Sequence, residues 1–194
     1  MQSILRPALA LFAALTLACG VLYPLLVTGV AQAAFPVQAN GSLVEQDGQV
    51  VGSRLIGQSF SAPGYFWGRP SATAPMANNG GGSSGSSQGP LNPALQEAVK
   101  GRIAALRALD PGNTALAPVD LVTSSASGLD PEISVAAARY QAARVARARQ
   151  LPAARVGALV EAHTERPFLG LFGAARVNVL ALNMALDAES GHTR

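Results

Sequence analysis

The sequence predicts an α+β protein: one N-terminal transmembrane helix followed by a single extracytoplasmic α+β domain. Three observations carry this. Residues 8–30 hold no charge, residues 42–57 form two β-prone runs about an Asp47-Gly48 turn, and helical patterns follow without a repeating βαβ alternation. The composition agrees, with 49% hydrophobic and 13% charged residues against about a quarter charged in an ordinary soluble domain. Part of this chain is not solvated like a globular surface.

As a helix, residues 8–30 extend about 35 Å, enough to cross a hydrocarbon core of roughly 30 Å. Leu, Val and Phe make up nearly half of the segment and favour insertion by about 3–7 kcal/mol before Gly20, Pro24 and Gly29 subtract from it. Pro24 predicts a kink. A cleaved signal peptide would account for Arg6 and for Ala31-Gln32-Ala33, but the apolar run exceeds the usual signal core. A lipoprotein anchor would account for Leu17-Ala18-Cys19-Gly20, but apolar sequence continues well beyond Cys19. Arg6 ahead of the span, with Glu45 and Asp47 as the first charges after it, places residues 1–7 in the cytoplasm and the rest outside. Residues 31–41 then read as a linker, 42–187 as the domain and 188–194 as a tail.

Within the domain, Asp47-Gly48 predicts a β-hairpin. Residues 60–76, with Phe60, Tyr65, Phe66, Trp67 and three prolines, are expected to form an ordered loop on that hairpin. From Asn78 to Gly89 only Asn, Gly, Ser and one Gln occur, which predicts a flexible or ligand-clasping loop. Asn92-Pro93 opens a helix over 93–109 carrying Leu95, Val99, Ile103 and Leu106, and Asp110-Pro111-Gly112 stops it. A strand is expected over 119–123. Ser134 caps an Ala/Arg helix over 136–149, Pro152 opens another bearing Val156, Leu159, Val160 and His163, and 177–186 reads as an apolar helix interrupted by Asn178 and Asn183.

Familiar catalytic patterns fail on context. Gly80-x-Gly82-x-x-Gly85 lacks a preceding strand and a following helix. Gly81-x-Ser83-x-Gly85 and Gly85-x-Ser87-x-Gly89 match the nucleophile elbow by composition alone, without its strand-turn-helix frame. The two histidines, His163 and His192, offer no general base, the single lysine, Lys100, has no Gly-rich lead-in, and the single cysteine, Cys19, builds neither a disulfide framework nor a thiolate metal site within one chain. Asp130 and Glu132 flank Pro131 as helix-entry caps. No catalytic residue, metal ligand or firmly bound cofactor is expected. With 14 basic and 11 acidic residues the charge balance carries no nucleic-acid footprint. Arg139, Arg144, Arg147 and Arg149 form the one charge cluster, read either as a solvated face or as a surface for acidic partner groups or lipid headgroups.

Six runs together resemble a known family: residues 52–58, 68–72, 89–93 and 120–131, Tyr140 with residues 144–149, and residues 176–180. In order and over nearly the whole length, they are similar to the C subunit of the bacterial Kdp potassium-transporting P-type ATPase. Departures occur in the loop 80–88, at Glu132 where His is common, and at Ala174-Ala175 where an acidic-Pro pair is common. The resemblance implies an accessory, non-catalytic subunit in the inner membrane, assembled with a potassium-translocating subunit and an ATP-hydrolysing subunit. ATP and potassium then belong to the complex. It also implies a catalytic chaperone raising the ATP affinity of the pump subunit through the Gly/Ser loop, making Gly81, Gly82, Ser83, Ser84 and Gly85 nucleotide-loop candidates. An outward-facing loop conflicts with that role, and control of extracytoplasmic potassium entry is an equal alternative. Tyr65, Phe66, Trp67, Arg69, Arg144 and Arg147 are the partner-contact candidates, and Ala14, Ala18 and Gly20 allow close helix approach in lipid. The competing class is a stand-alone membrane-anchored extracytoplasmic binding module.

Overall fold

The computed structural model describes residues 4–190, so His192 and the end of the expected tail lie outside the described residues. The chain divides into two compact units, one up to Val51 and one from Gly52 onward. In the first, α1 (Leu5–Leu17), a π-helical turn (Ala18–Leu22) and α2 (Tyr23–Ala34) form one continuous 30-residue helix. At about 45 Å it exceeds a bilayer core, and none of its side chains is buried. The expected disturbance at Pro24 takes the form of this π turn. Proline has no N–H and its ring crowds the carbonyl four residues back; the turn ahead of it widens, and the Tyr23 N–H reaches the carbonyl of Ala18, five residues away. Phe35 leaves the helical region, and the short α3 (Pro36–Ala39) follows.

β1 (Leu43–Gln46) and β2 (Gln49–Ser53) pair as the expected hairpin. Asp47 and Gly48 both have positive φ, 52° and 76°, the backbone of a type I′ turn.

The second unit begins within β2 and runs through a long irregular segment, which includes a cis Ala74–Pro75 bond, to α4 (Pro93–Leu109). Asn92 caps α4 as expected, its Oδ1 accepting from the Ala94 N–H at 2.9 Å. The run expected to be a strand at 119–123 is instead one helical turn, α5 (Val119–Val122), which buries Leu121 and Val122. Pro118 sets its entry, and the turn places both apolar side chains on the core without needing a partner strand.

A three-stranded antiparallel sheet has the order β3-β5-β4, from β3 (Glu132–Ser134), β4 (Thr164–Glu165) and β5 (Arg176–Asn178). Val177 lies opposite Ile133 on one side and Thr164 on the other. Val177 therefore does not begin a helix: it is the buried centre of the middle strand, and α8 (Val179–Ser190) starts beyond it, with Asn178 Oδ1 accepting from the Ala181 N–H. α6 (Val135–Arg149) is capped by Ser134 as expected, at 3.0 Å from the Ala137 N–H. It ends at Gln150 in the left-handed region, and α7 (Ala153–Ala162) follows. The core joins Ile133 and Val177 of the sheet to Val145, Val156, Leu182 and Leu186 of the helices, with Phe66 inserted from the aromatic loop.

Candidate docking site

The aromatic loop is held by α6 and α8. Two buried side-chain amides hold it. Asn183 accepts from the Phe66 N–H at 2.8 Å and donates to the Phe66 carbonyl at 3.0 Å. Gln141 does the same for Trp67, accepting at 2.8 Å and donating at 3.1 Å. An amide carries donor and acceptor together, so each satisfies both main-chain groups of one loop residue as a neighbouring strand would.

Two guanidinium groups hold the preceding residues. Arg144 donates to the carbonyls of Pro63 and Tyr65 and to Gln141 Oε1, and lies 5.4 Å from the Trp67 ring centre. Arg149 donates to the Gly64 carbonyl at 2.8 Å, pairs with Asp187 at 2.6 Å and lies over the Tyr65 ring at 4.4 Å. The Tyr65 hydroxyl donates to the same carboxylate. Planar, delocalised Arg suits this combined stacking and hydrogen bonding. Burial pulls the Arg144 guanidinium below its usual range, opposed by Asp110 and reinforced by Arg147.

Of the partner-contact candidates, Phe66 lies buried in the core and Arg144 is buried against the loop. The Arg cluster is not a bare charged face. Arg139 pairs with Glu161 and Arg147 with Asp110, acids that lie far from 133–150 in sequence. Trp67 and Arg69 stay partly exposed, Tyr65 is part-buried beneath Arg149, and Arg147 is 62% exposed. Arg69 pairs with Asp130 at 3.0 Å and lies between two clefts. One, of about 210 Å³, runs beside Phe60, Trp67 and Arg102. The other, of about 410 Å³, contains Asp120, Asp130, Glu132 and Arg176. Burial raises the Glu132 carboxyl above the usual range, with Arg176 opposing and Glu165 and Asp130 adding to the shift. Nothing in the spacing singles out Arg149, Asp187 or Gln141. Asn183 was signalled as a polar interruption of an apolar helix, and Arg144 and Arg149 only as members of the charge cluster.

The Gly/Ser loop is tied down by a neighbouring turn. Ser84 N–H and Ser83 Oγ both donate to the Ser127 carbonyl at 3.0 Å. The Gly82 and Gly81 amides donate to the carbonyl and the side chain of Asn79. A Cβ on Gly85 would stand 2.7 Å from the Ala126 carbonyl oxygen. Four of the five nucleotide-loop candidates thus have one donor engaged within the chain, and between Gly52 and Asn92 no helix starts to supply an anion-binding terminus. His163 closes α7, its Nδ1 2.9 Å from the Leu159 carbonyl. Among the described residues no group of three or more His, Cys, Asp or Glu side chains is arranged to hold a metal ion.

The family described as K+-transporting ATPase, c chain, matches residues 5–188. The chain belongs to the KdpC family. Its relatives include the potassium-transporting ATPase KdpC subunits of Herminiimonas arsenicoxydans, 64% identical over 187 residues and covering 96% of this chain and 98% of the relative, and of Polaromonas naphthalenivorans, 68% identical over 188 residues and covering 97% and 96%. A third, from Variovorax paradoxus, is 64% identical over 190 residues, covering 98% of both. The chain is thus a KdpC subunit of the K+-transporting ATPase, and its apolar N-terminal helix fits a membrane-anchored member of that family.

Proposed function

We propose that this chain is a non-catalytic subunit that stabilises the assembled potassium pump, joined to a potassium-translocating subunit and an ATP-hydrolysing subunit. The helix Leu5–Ala34 anchors it with its N-terminus cytoplasmic, and the domain stands outside. The observation that carries this reading is the clamp of Gln141, Asn183, Arg144 and Arg149 on the loop 63–67. Four buried side chains fix the main chain of a loop that leaves Trp67 and Arg69 partly exposed, so those side chains meet a partner without losing loop entropy on binding. Arg147, on the same helix as the clamp, is the third contact.

The catalytic-chaperone role through the Gly/Ser loop is the weaker alternative, because four of its candidate residues already have a donor engaged within the chain and an outward domain does not meet cytoplasmic ATP. Purification of this protein in mild detergent tests assembly: it should bring down both larger subunits. Trp67→Ala and Arg69→Ala should lower their recovery and potassium-limited growth while Ala104→Ser changes neither. Recovery of the chain alone would favour a stand-alone binding module. For topology, protease added to intact spheroplasts should digest the domain; full protection would reverse the orientation.

A further inference from the structure

Between β4 and β5 the chain makes a tight excursion, 166–173, whose side chains have no place in the core. Phe168, Leu169, Leu171 and Phe172 are each between 66 and 80% exposed. The two phenylalanine rings face each other at 6.5 Å. Single exposed apolar residues are ordinary, but four large ones within five positions form a patch of the kind that marks an interaction surface. Four backbone amides of this tip are bonded within it. The Phe168 and Phe172 N–H groups donate to each other's carbonyls at 3.0 Å, Leu171 N–H donates to the Phe168 carbonyl, and Gly170 N–H to the Pro167 carbonyl. Gly170 and Gly173 take positive φ, 72° and 95°, which lets so short a turn close.

We propose that this tip inserts into the lipid interface of the membrane that anchors the chain. Lipid, unlike water, cannot satisfy free amides, so a loop entering it must arrive with its backbone hydrogen bonds made; four of the tip's amides meet that condition. Aromatic and leucine side chains are the types that settle at the acyl boundary. Arg166, exposed at the base of the tip, supplies a cation at headgroup level. The proposal rests on the reading that Leu5–Ala34 spans the membrane. Only seventeen residues separate Ala34 from Gly52, a tether of at most about 60 Å.

The test uses the full chain with Cys19→Ser and Leu171→Cys, labelled with a nitrobenzoxadiazole fluorophore. It is placed without other subunits in nanodiscs of phosphatidylethanolamine and phosphatidylglycerol. The expected result is a blue-shifted emission, protection from iodide and quenching by brominated lipid, with none of these for the same label at Ala104→Cys. A water-like label at 171 in a chain that co-elutes with the discs overturns the proposal and leaves the anchor standing. A chain that does not enter the discs overturns both. A blue shift that needs the remaining subunits and escapes brominated lipid shows a protein contact, and also overturns it.

Discussion

Replacing Asn183 by alanine tests the clamp directly. The side chain is fully buried, and it is the hydrogen-bond partner of both main-chain groups of Phe66, which is itself fully buried. Removing it strands one N–H and one C=O away from water. Each stranded group costs about 1–3 kcal/mol, so the variant should lose roughly 2–6 kcal/mol. For a domain of this size 1 kcal/mol lowers Tm by about 2–4 °C, which puts the expected fall near 10 °C. The assay is built in. Trp67 is the only tryptophan and is bonded through its own N–H to Gln141, so its emission follows release of the loop. The full chain in detergent would be melted while that emission is recorded, beside Glu97→Ala, an exposed site. A Tm within about 2 °C of the parent, with unchanged Trp67 emission, would refute the clamp as the source of loop rigidity.

Other outcomes follow from the same geometry. Asp187→Ala leaves Arg149 buried without its carboxylate and should cost about 3–5 kcal/mol in denaturant melts; a loss below about 1 kcal/mol would show the pair to be dispensable. Gly128→Ala puts a Cβ at φ +67°, 2.5 Å from Thr73 Cγ2 and 2.6 Å from the Ser84 carbonyl oxygen, and should loosen the Gly/Ser loop, read as faster amide exchange at Ser84. Glu132 is raised above its usual range mainly by burial, so its charged form is disfavoured in the folded state and stability should fall as pH rises through its folded pKa. Glu132→Gln should therefore be more stable than the parent at neutral pH, and the difference should vanish below the usual carboxylate range; a variant less stable than the parent at neutral pH would show that the lost Arg176 ion pair outweighs the burial of the charge.

What could be read from the sequence was local. Asn92 and Ser134 bear capping side chains directly ahead of helical patterns, and both cap in the structure, because a cap depends on a few adjacent residues. Asp47-Gly48 likewise fixes its turn by its own backbone preference. The strand at Arg176–Asn178 was hidden because three residues show no period, and Val177 is apolar equally well in a strand or a helix. The run at 119–123 shows the converse, β-prone residues placed in a helical turn by burial of Leu121 and Val122. Of the docking site, the aromatic loop was visible as composition. Its supports were not: Gln141 is 74 positions from Trp67, and Asn183 117 from Phe66, and no spacing rule spans such distances. The four arginines on α6 looked alike in sequence, yet the fold gives one to an exposed ion pair with Glu161, one to Asp110, and two to main-chain carbonyls of the aromatic loop.

The π turn at Ala18–Leu22 alters what the N-terminal helix can offer a neighbour. A widened turn acts as one inserted residue, which offsets angular phase by about 100°. A stripe that includes Ala14 above the turn therefore does not continue into Gly29 below it as a regular helix wheel would draw it. The two halves present separate faces, and a neighbouring helix running alongside can follow one of them but not both. Deleting a single residue within 18–22 would bring the halves back into one phase and rotate every contact below Pro24, leaving composition and apolar length almost untouched.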